Sequence, residues 1–177
     1  MKEYFELKLN DLMKVVDWSL PYVASALEVF EKYHPNDNRP RRAVQGANEF
    51  SASGKRTQQL RKIAMDAYRA SRESSTEQAS FAANAASLLA AVAYTHPFKD
   101  PKQARHIIGP VTYAVLALER EDNELNNMDI MLEDVIKKIS REVVEVLSMF
   151  PRQVEKRTRI DEIYLRIDRE IMNVQLR

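Results

Sequence analysis

The residues best suited to metal or proton chemistry are three histidines, His34, His96 and His106. His96 and His106 flank a break in the helical pattern, "HPFKDP", and could meet across it. With His34, Asp37 or Asp100 they are the best available set for a divalent cation. The spacing argues against that use. No His-x-x-x-His pair occurs, and the one Glu-x-x-His pair, Glu31 and His34, stands alone where a two-metal bundle site draws on two. The simpler reading is histidines hydrogen-bonded at helix ends. There is no cysteine, hence no thiolate nucleophile, thiolate metal site or disulfide. Only three glycines occur, Gly46, Gly54 and Gly109, which excludes a glycine-rich phosphate loop. No Gly-x-Ser-x-Gly elbow is present. Paired carboxylates such as Glu133-Asp134 and Asp161-Glu162 fall on the charged sides of helices and read as solvated. The residues therefore assign no catalytic group, no metal site and no cofactor.

The second unusual chemistry is cationic. "HPNDNRPRRA", residues 34–43, reads as a turn and a helix start. It puts Arg39, Arg41 and Arg42 at the amino end of that helix, where the macrodipole disfavours positive charge. Two uses are open. Arg39 or Arg41 can latch the turn onto the bundle by a bidentate pair with a carboxylate, Asp37 being the nearest. Alternatively the arginines, with Arg61 and Arg69 further on, face an anionic partner. From Arg39 to Arg72 there are nine basic residues against two acidic, a net of +7. From Glu119 to Glu145 there are nine acidic against four basic, a net of −5. Such polarity reads first as two faces that attract each other within the fold or across a dimer, and second as a basic partner-binding face. The whole chain carries only +1, which argues against charge-driven binding to nucleic acid. No aromatic interleaving accompanies the basic stretch, which weakens single-strand binding further.

These groups must be positioned by helices. A chain of 177 residues is one domain, 1–177, with enough length to bury a core. The alternation of Phe5, Leu7 and Leu9 predicts an extended arm over 1–9. A helix follows from Asn10 or Asp11 to Tyr33, with Pro21 kinking it or restarting it after Ser19. Pro40 starts a short helix that runs to about Phe50. A third helix buries Leu60, Ile63, Ala64, Ala67 and Tyr68 and turns a basic face outward. From Glu77 to His96 comes a helix with eight alanines and no charge after Glu77. A helix without a polar face is buried by its neighbours, so this one is central. Asn84 on it either ties two helices together or points into a pocket, for which His34, His96, His106 and Tyr113 are the other candidates. A fifth helix spans Pro101–Leu118, disturbed at Gly109-Pro110. The polar connection "EREDNELNN" leads to a sixth, Met128–Phe150. The charged carboxyl-terminal segment, 152–177, forms a last helix over Val154–Leu176. Its stripe of Ile160, Ile163, Tyr164, Ile167 and Ile171 packs on the core or on a second copy in a homodimer. Trp18, the one tryptophan, reads as core or as an interface anchor. The expected fold is an all-α bundle of six or seven helices around the alanine-rich one. The amino end, "MKEYFELKLN", lacks the apolar run of a signal peptide, and no segment suits a bilayer. The expectation is a cytoplasmic protein without membrane contact.

The segments "DNRPRRAVQGANEF", "IAMDAYRAS", "AAVAYTHPF" and "ARHIIGPVTYAVLA" resemble, in order and spacing, the Imm-five-like family of immunity proteins of bacterial polymorphic toxin systems. The resemblance runs from about Leu9 to Leu118. Its most specific part is the Arg39-Pro40-Arg41 turn, with the alanine-rich helix ending at His96 and the His106/Tyr113 segment. Family members carry an acidic pair before Arg-Pro-Arg, whereas Asn36-Asp37-Asn38 keeps one acid. The stretch around 45–60 is poorer in alanine and glycine than in typical members. The carboxyl-terminal third is similar only in being helical and charged.

The resemblance implies a non-enzymatic cytoplasmic protein that binds and neutralises a cognate toxin. Some relatives carry exonuclease-related labels, but no Asp/Glu/His cluster suited to two-metal chemistry is visible here. Two alternatives stand beside it. One is a metal-dependent or small-molecule enzyme built on His34, His96 and His106. The other is a nucleic-acid-associated protein using the basic 39–72 segment.

Overall fold

The computed structural model describes residues 3–122, 125–152 and 158–175. Among them are eight α-helices: α1 Leu9–Tyr33, α2 Arg39–Ser53, α3 Gln58–Glu73, α4 Glu77–Ala91, α5 Pro101–Asp122, α6 Leu125–Lys137, α7 Arg141–Ser148 and α8 Arg159–Gln175. The chain is an all-α bundle, and α4 lies at its centre, against α1, α2, α3 and α5. The small side chains of α4 explain the placement. Ala79, Ala82, Ala83, Ala85 and Ala86 have no exposure at all, so four helices approach one backbone closely. Ser87, also buried on α4, donates its hydroxyl to the Ala64 carbonyl at 2.8 Å and so satisfies its own polar group.

Local signals set the helix ends. Thr57 accepts from the Leu60 N–H at 3.0 Å and caps α3, and Thr76 does the same for α4. Gly54 closes α2 with φ +67, a left-handed conformation that favours glycine. Two prolines fall inside helices without restarting them. Pro21 sits inside a continuous α1, and Pro110 inside a continuous α5. Pro21 lies on the exposed side, while Val15, Val16, Val23, Ala26 and Phe30 are buried on either side of it. Burial of that stripe outweighs one missing backbone hydrogen bond. The expected sixth helix is divided instead. Ser140 accepts from the Val143 N–H and starts α7 as a new helix. α4 also stops earlier than expected, giving way to a 3-10 turn at Val92–Tyr94.

Glu3–Lys8 precede α1 without helix. Tyr4 forms an isolated antiparallel bridge with Phe98, and the Phe5 N–H donates to the Pro97 carbonyl at 3.0 Å. Residues 1–2 of the expected arm, and 154–157 and 176 of the expected last helix, lie outside the described residues.

α6, α7 and α8 pack along α5 and α1. Trp18 is buried and donates its indole N–H to the Val135 carbonyl at 3.1 Å, tying α6 to α1. The α8 stripe is covered within the chain: Ile163, Tyr164, Ile167 and Ile171 are at most 4% exposed. It therefore does not call for a second subunit, which was the ground for expecting a homodimer. Salt links reinforce the docking of α8. Arg105 of α5 meets Asp161 at 2.8 Å, and Arg159 meets Glu119 of α5 at 2.8 Å. Among the described residues no helix is long and apolar enough to cross a membrane.

Candidate functional site

The arginines at the start of α2 are placed by carboxylates from other elements. Arg39 donates through Nε and Nη2 to Asp37, at 3.0 and 2.7 Å, and through Nη2 to Glu73 of α3 at 2.6 Å. Its own backbone N–H donates to Asp37 Oδ1 at 3.1 Å. The first turn of α2 contains no acid. Asp37 stands just before it and supplies the negative group that this helix end favours. Arg39 in turn holds the Asp37 carboxyl below its ordinary range, against the rise that burial imposes. Arg41 forks onto Glu31 of α1, with Nε–Oε1 at 2.6 Å. Arg42 is exposed, and no ion pair reaches it among the described residues.

α3 differs. Its buried side faces α4, and its outer side carries Arg61, Lys62, Met65, Tyr68, Arg69 and Arg72. Met65 is 51% exposed and Tyr68 44% exposed. Tyr68 thus leaves the apolar face on which its spacing had put it. Arg69 pairs with Asp66 one turn back, at 2.9 Å. Among the described residues no carboxylate pairs with Arg56, Arg61 or Lys62. Together with Thr57, Met65 and Tyr94 they border a trough of about 630 Å³. Tyr94 arrives from the 3-10 turn after α4. Its hydroxyl donates to the Thr57 carbonyl at 2.5 Å, and the Arg61 guanidinium lies 4.6 Å from its ring centre. The basic stretch is therefore accompanied by aromatic rings, contrary to the linear pattern.

The acidic segment does not neutralise this face. Its described ion pairs go to Lys32, Lys138, Arg141, Arg159 and Arg166. None of these described pairs joins the two charged segments.

Beside α3 lies a second recess, of about 410 Å³, at the meeting of α3, α4, α5 and α8. It gathers three of the five residues expected to share a pocket: Asn84, His106 and Tyr113. Asn84 reaches across from α4 to the Tyr113 phenol on α5. Burial lowers the pKa of His106, and the charge of His96 lowers it further, so the imidazole is neutral near pH 7. Burial raises the Tyr113 and Tyr164 phenols, which stay protonated. The other wall comes from residues that linear reading did not single out as a site. Arg105 lies 5.0 Å from the Tyr164 ring centre while pairing with Asp161. Asp161 also accepts from the Thr158 N–H and hydroxyl, at 3.1 and 2.9 Å.

His34 and His96 do not line this recess. His34 stacks on Phe30 at the end of α1, ring centres 4.9 Å apart, and its Nε2 is buried without a hydrogen-bond partner. His96 is exposed and stacks on Phe98. The three histidines do not converge, and among the described residues no group of three His, Asp or Glu could hold a metal ion.

The model of a protein family described as "Imm-5 like putative immunity protein" matches residues 6–142 of this chain. The match runs from the extended arm through α6 and takes in α3 and the α3–α5 walls of the recess. The α8 wall lies beyond it. No curated protein and no solved structure matches the chain.

Proposed function

This chain belongs to the Imm-5 like family of immunity proteins, and from that membership we propose that it captures and neutralises a cognate toxin by binding, without catalysis of its own. The observation that carries the reading is the outer face of α3. Exposed cations without an ion-pair partner among the described residues surround an exposed methionine and tyrosine. Arginine, methionine and tyrosine are the residue types enriched at protein interfaces. The acting surface comprises Arg56, Arg61, Lys62, Met65, Tyr68 and Arg69, and exposed Arg42 on α2 is a further candidate contact. Asp37, Arg39 and Arg41 have the supporting role of latching α2 to its neighbours. The site of action is the cytoplasm, where a toxin would be met before it does harm. The metal-enzyme alternative loses its ligand set, because His34 stands apart from the other two histidines.

The Arg61–Tyr94 stack favours one competitor, binding of single-stranded nucleic acid. The apolar centre at Met65 and Tyr68 favours protein instead. Co-expression with the product of the adjacent gene tests the reading. The expected result is a stoichiometric complex that survives moderate salt. Failure to form it, with nucleic-acid affinity falling steeply as salt rises, would replace the reading by its competitor.

A further inference from the structure

The recess beside α3 has no part in the latch or in the basic face, yet it adjoins that face. Tyr68 is common to both. It stands one residue from Arg69 on α3, it borders the recess, and it lies close enough to act on the Tyr113 phenol. A partner lying along α3 therefore crosses the mouth of a cavity.

The chemistry of the walls selects the occupant. Two tyrosine rings, those of Tyr68 and Tyr113, border it with Leu88 and Ile160, while Tyr164, 4% exposed, lies beneath the Arg105 guanidinium. These surfaces favour a flat apolar group in offset or edge-on contact. The two charged residues cancel, since Arg105 and Asp161 are engaged with each other. His106 and Asn84 add hydrogen-bonding groups without net charge. A charged occupant would gain little from such walls, whereas a neutral ring with one polar atom matches both. The volume, about 410 Å³, takes a single large side chain with room for water. Further along α3, Arg56, Arg61 and Lys62 border the separate basic trough.

We infer that the toxin presents a tyrosine or tryptophan side chain that enters this recess, with carboxylates around it that face the cations of α3. The inference rests on the immunity reading and specifies the partner's surface. An aromatic anchor in a desolvated pocket, ringed by charge, is the arrangement that concentrates binding energy in a few residues.

Two measurements test it. The first needs no toxin: 4-methylphenol and indole are titrated into the free protein while backbone amide NMR signals are followed. Shifts are expected around Asn84, His106 and Tyr113, and not in Ile160→Trp, whose larger side chain fills the recess. The second is toxin affinity by calorimetry. Ile160→Trp and Tyr68→Ala are each expected to weaken it by about 30-fold or more. Tyr68 is exposed, so its removal leaves the fold intact even if Ile160→Trp does not. Absence of probe shifts, or wild-type toxin affinity in a folded Tyr68→Ala variant, overturns the inference and leaves the immunity reading standing. Absence of any complex with the wild-type chain overturns the immunity reading, and the protein occupant with it.

Discussion

The start of α2 and the outer face of α3 are built from the same cationic residues and use them in opposite ways. At the start of α2, Arg39 and Arg41 are each held by carboxylates, Asp37 and Glu73 for one and Glu31 for the other. Along α3, Arg61 and Lys62 meet no carboxylate among the described residues, and Arg61 lies against an aromatic ring. The difference lies in the neighbouring helices. The end of α1 and the end of α3 each bring an acid to the first turn of α2, whereas α3 turns its cations away from the bundle. Charge density along a sequence thus does not distinguish a structural arginine from one available to a partner. The direction of the helix face does. The three arginines at an electrically unfavourable helix end are explained in part: two are paired with carboxylates, and Asp37 offsets the helix charge.

The contrast breaks most visibly on charge reversal. Replacing Arg56, Arg61 and Lys62 by Glu is expected to weaken toxin binding on the order of 100-fold, through repulsion of an acidic surface. The melting temperature should stay within about 2 °C, because no ion pair is lost. Calorimetric titration beside thermal melts checks both halves. Arg39→Ala should do the reverse. It removes a charge-assisted fork and leaves Asp37 half-buried without its partner, which costs about 1–2 kcal/mol. For a chain of this size that lowers the melting temperature by roughly 3–6 °C, with toxin affinity unchanged. Arg41→Ala should cost less than Arg39→Ala, because its side chain is 53% exposed. Equal costs at Arg39 and Arg41 would show that exposure is not what ranks the two latches.

Much of this architecture was legible in the sequence. An uncharged helix of small residues has to be central, and α4 is. The one-sided charge of the third helix marked Arg61 and Arg69, and both lie on its outer face. The failures share a cause. Pro21 was read as a kink or restart and Pro110 as a disturbance, but neither interrupts its helix: the apolar stripe of α1 is buried while Pro21 is exposed, and Pro110 is itself buried within α5. Ser140 was missed as a cap because the apolar stripe from Ile130 to Leu147 looks continuous across it. The recess was half visible. Asn84, His106 and Tyr113 were marked, but Arg105 with Asp161 joins residues 56 positions apart, as Tyr94 with Thr57 in the basic trough joins residues 37 apart. No local period encodes such contacts. His34 was grouped with His96 and His106 by residue type alone, and the fold places it on Phe30 instead.

The smallest expected effect sharpens the comparison most, because it isolates the charge of one arginine. Arg39 lowers the Asp37 pKa below its ordinary 3.8. Between the folded value and 3.8 the unfolded chain binds more protons, so stability rises with pH across that window. The latch's contribution is thus fully present above about pH 5 and lost as pH falls through the folded value. Other carboxylates held low, such as Glu121 beside Lys32, contribute to acid sensitivity as well. The informative quantity is therefore the gap in unfolding free energy between wild type and Arg39→Ala. Urea denaturation from pH 7 to pH 3 should give a constant gap down to about pH 5, and then a narrowing one. The Arg56, Arg61 and Lys62 reversal should not change the gap that Arg39→Ala produces, since its sites share no partner with Asp37. A gap that stays constant to pH 3 would mean that Arg39 stabilises the fold by packing its stem rather than by pairing its charge.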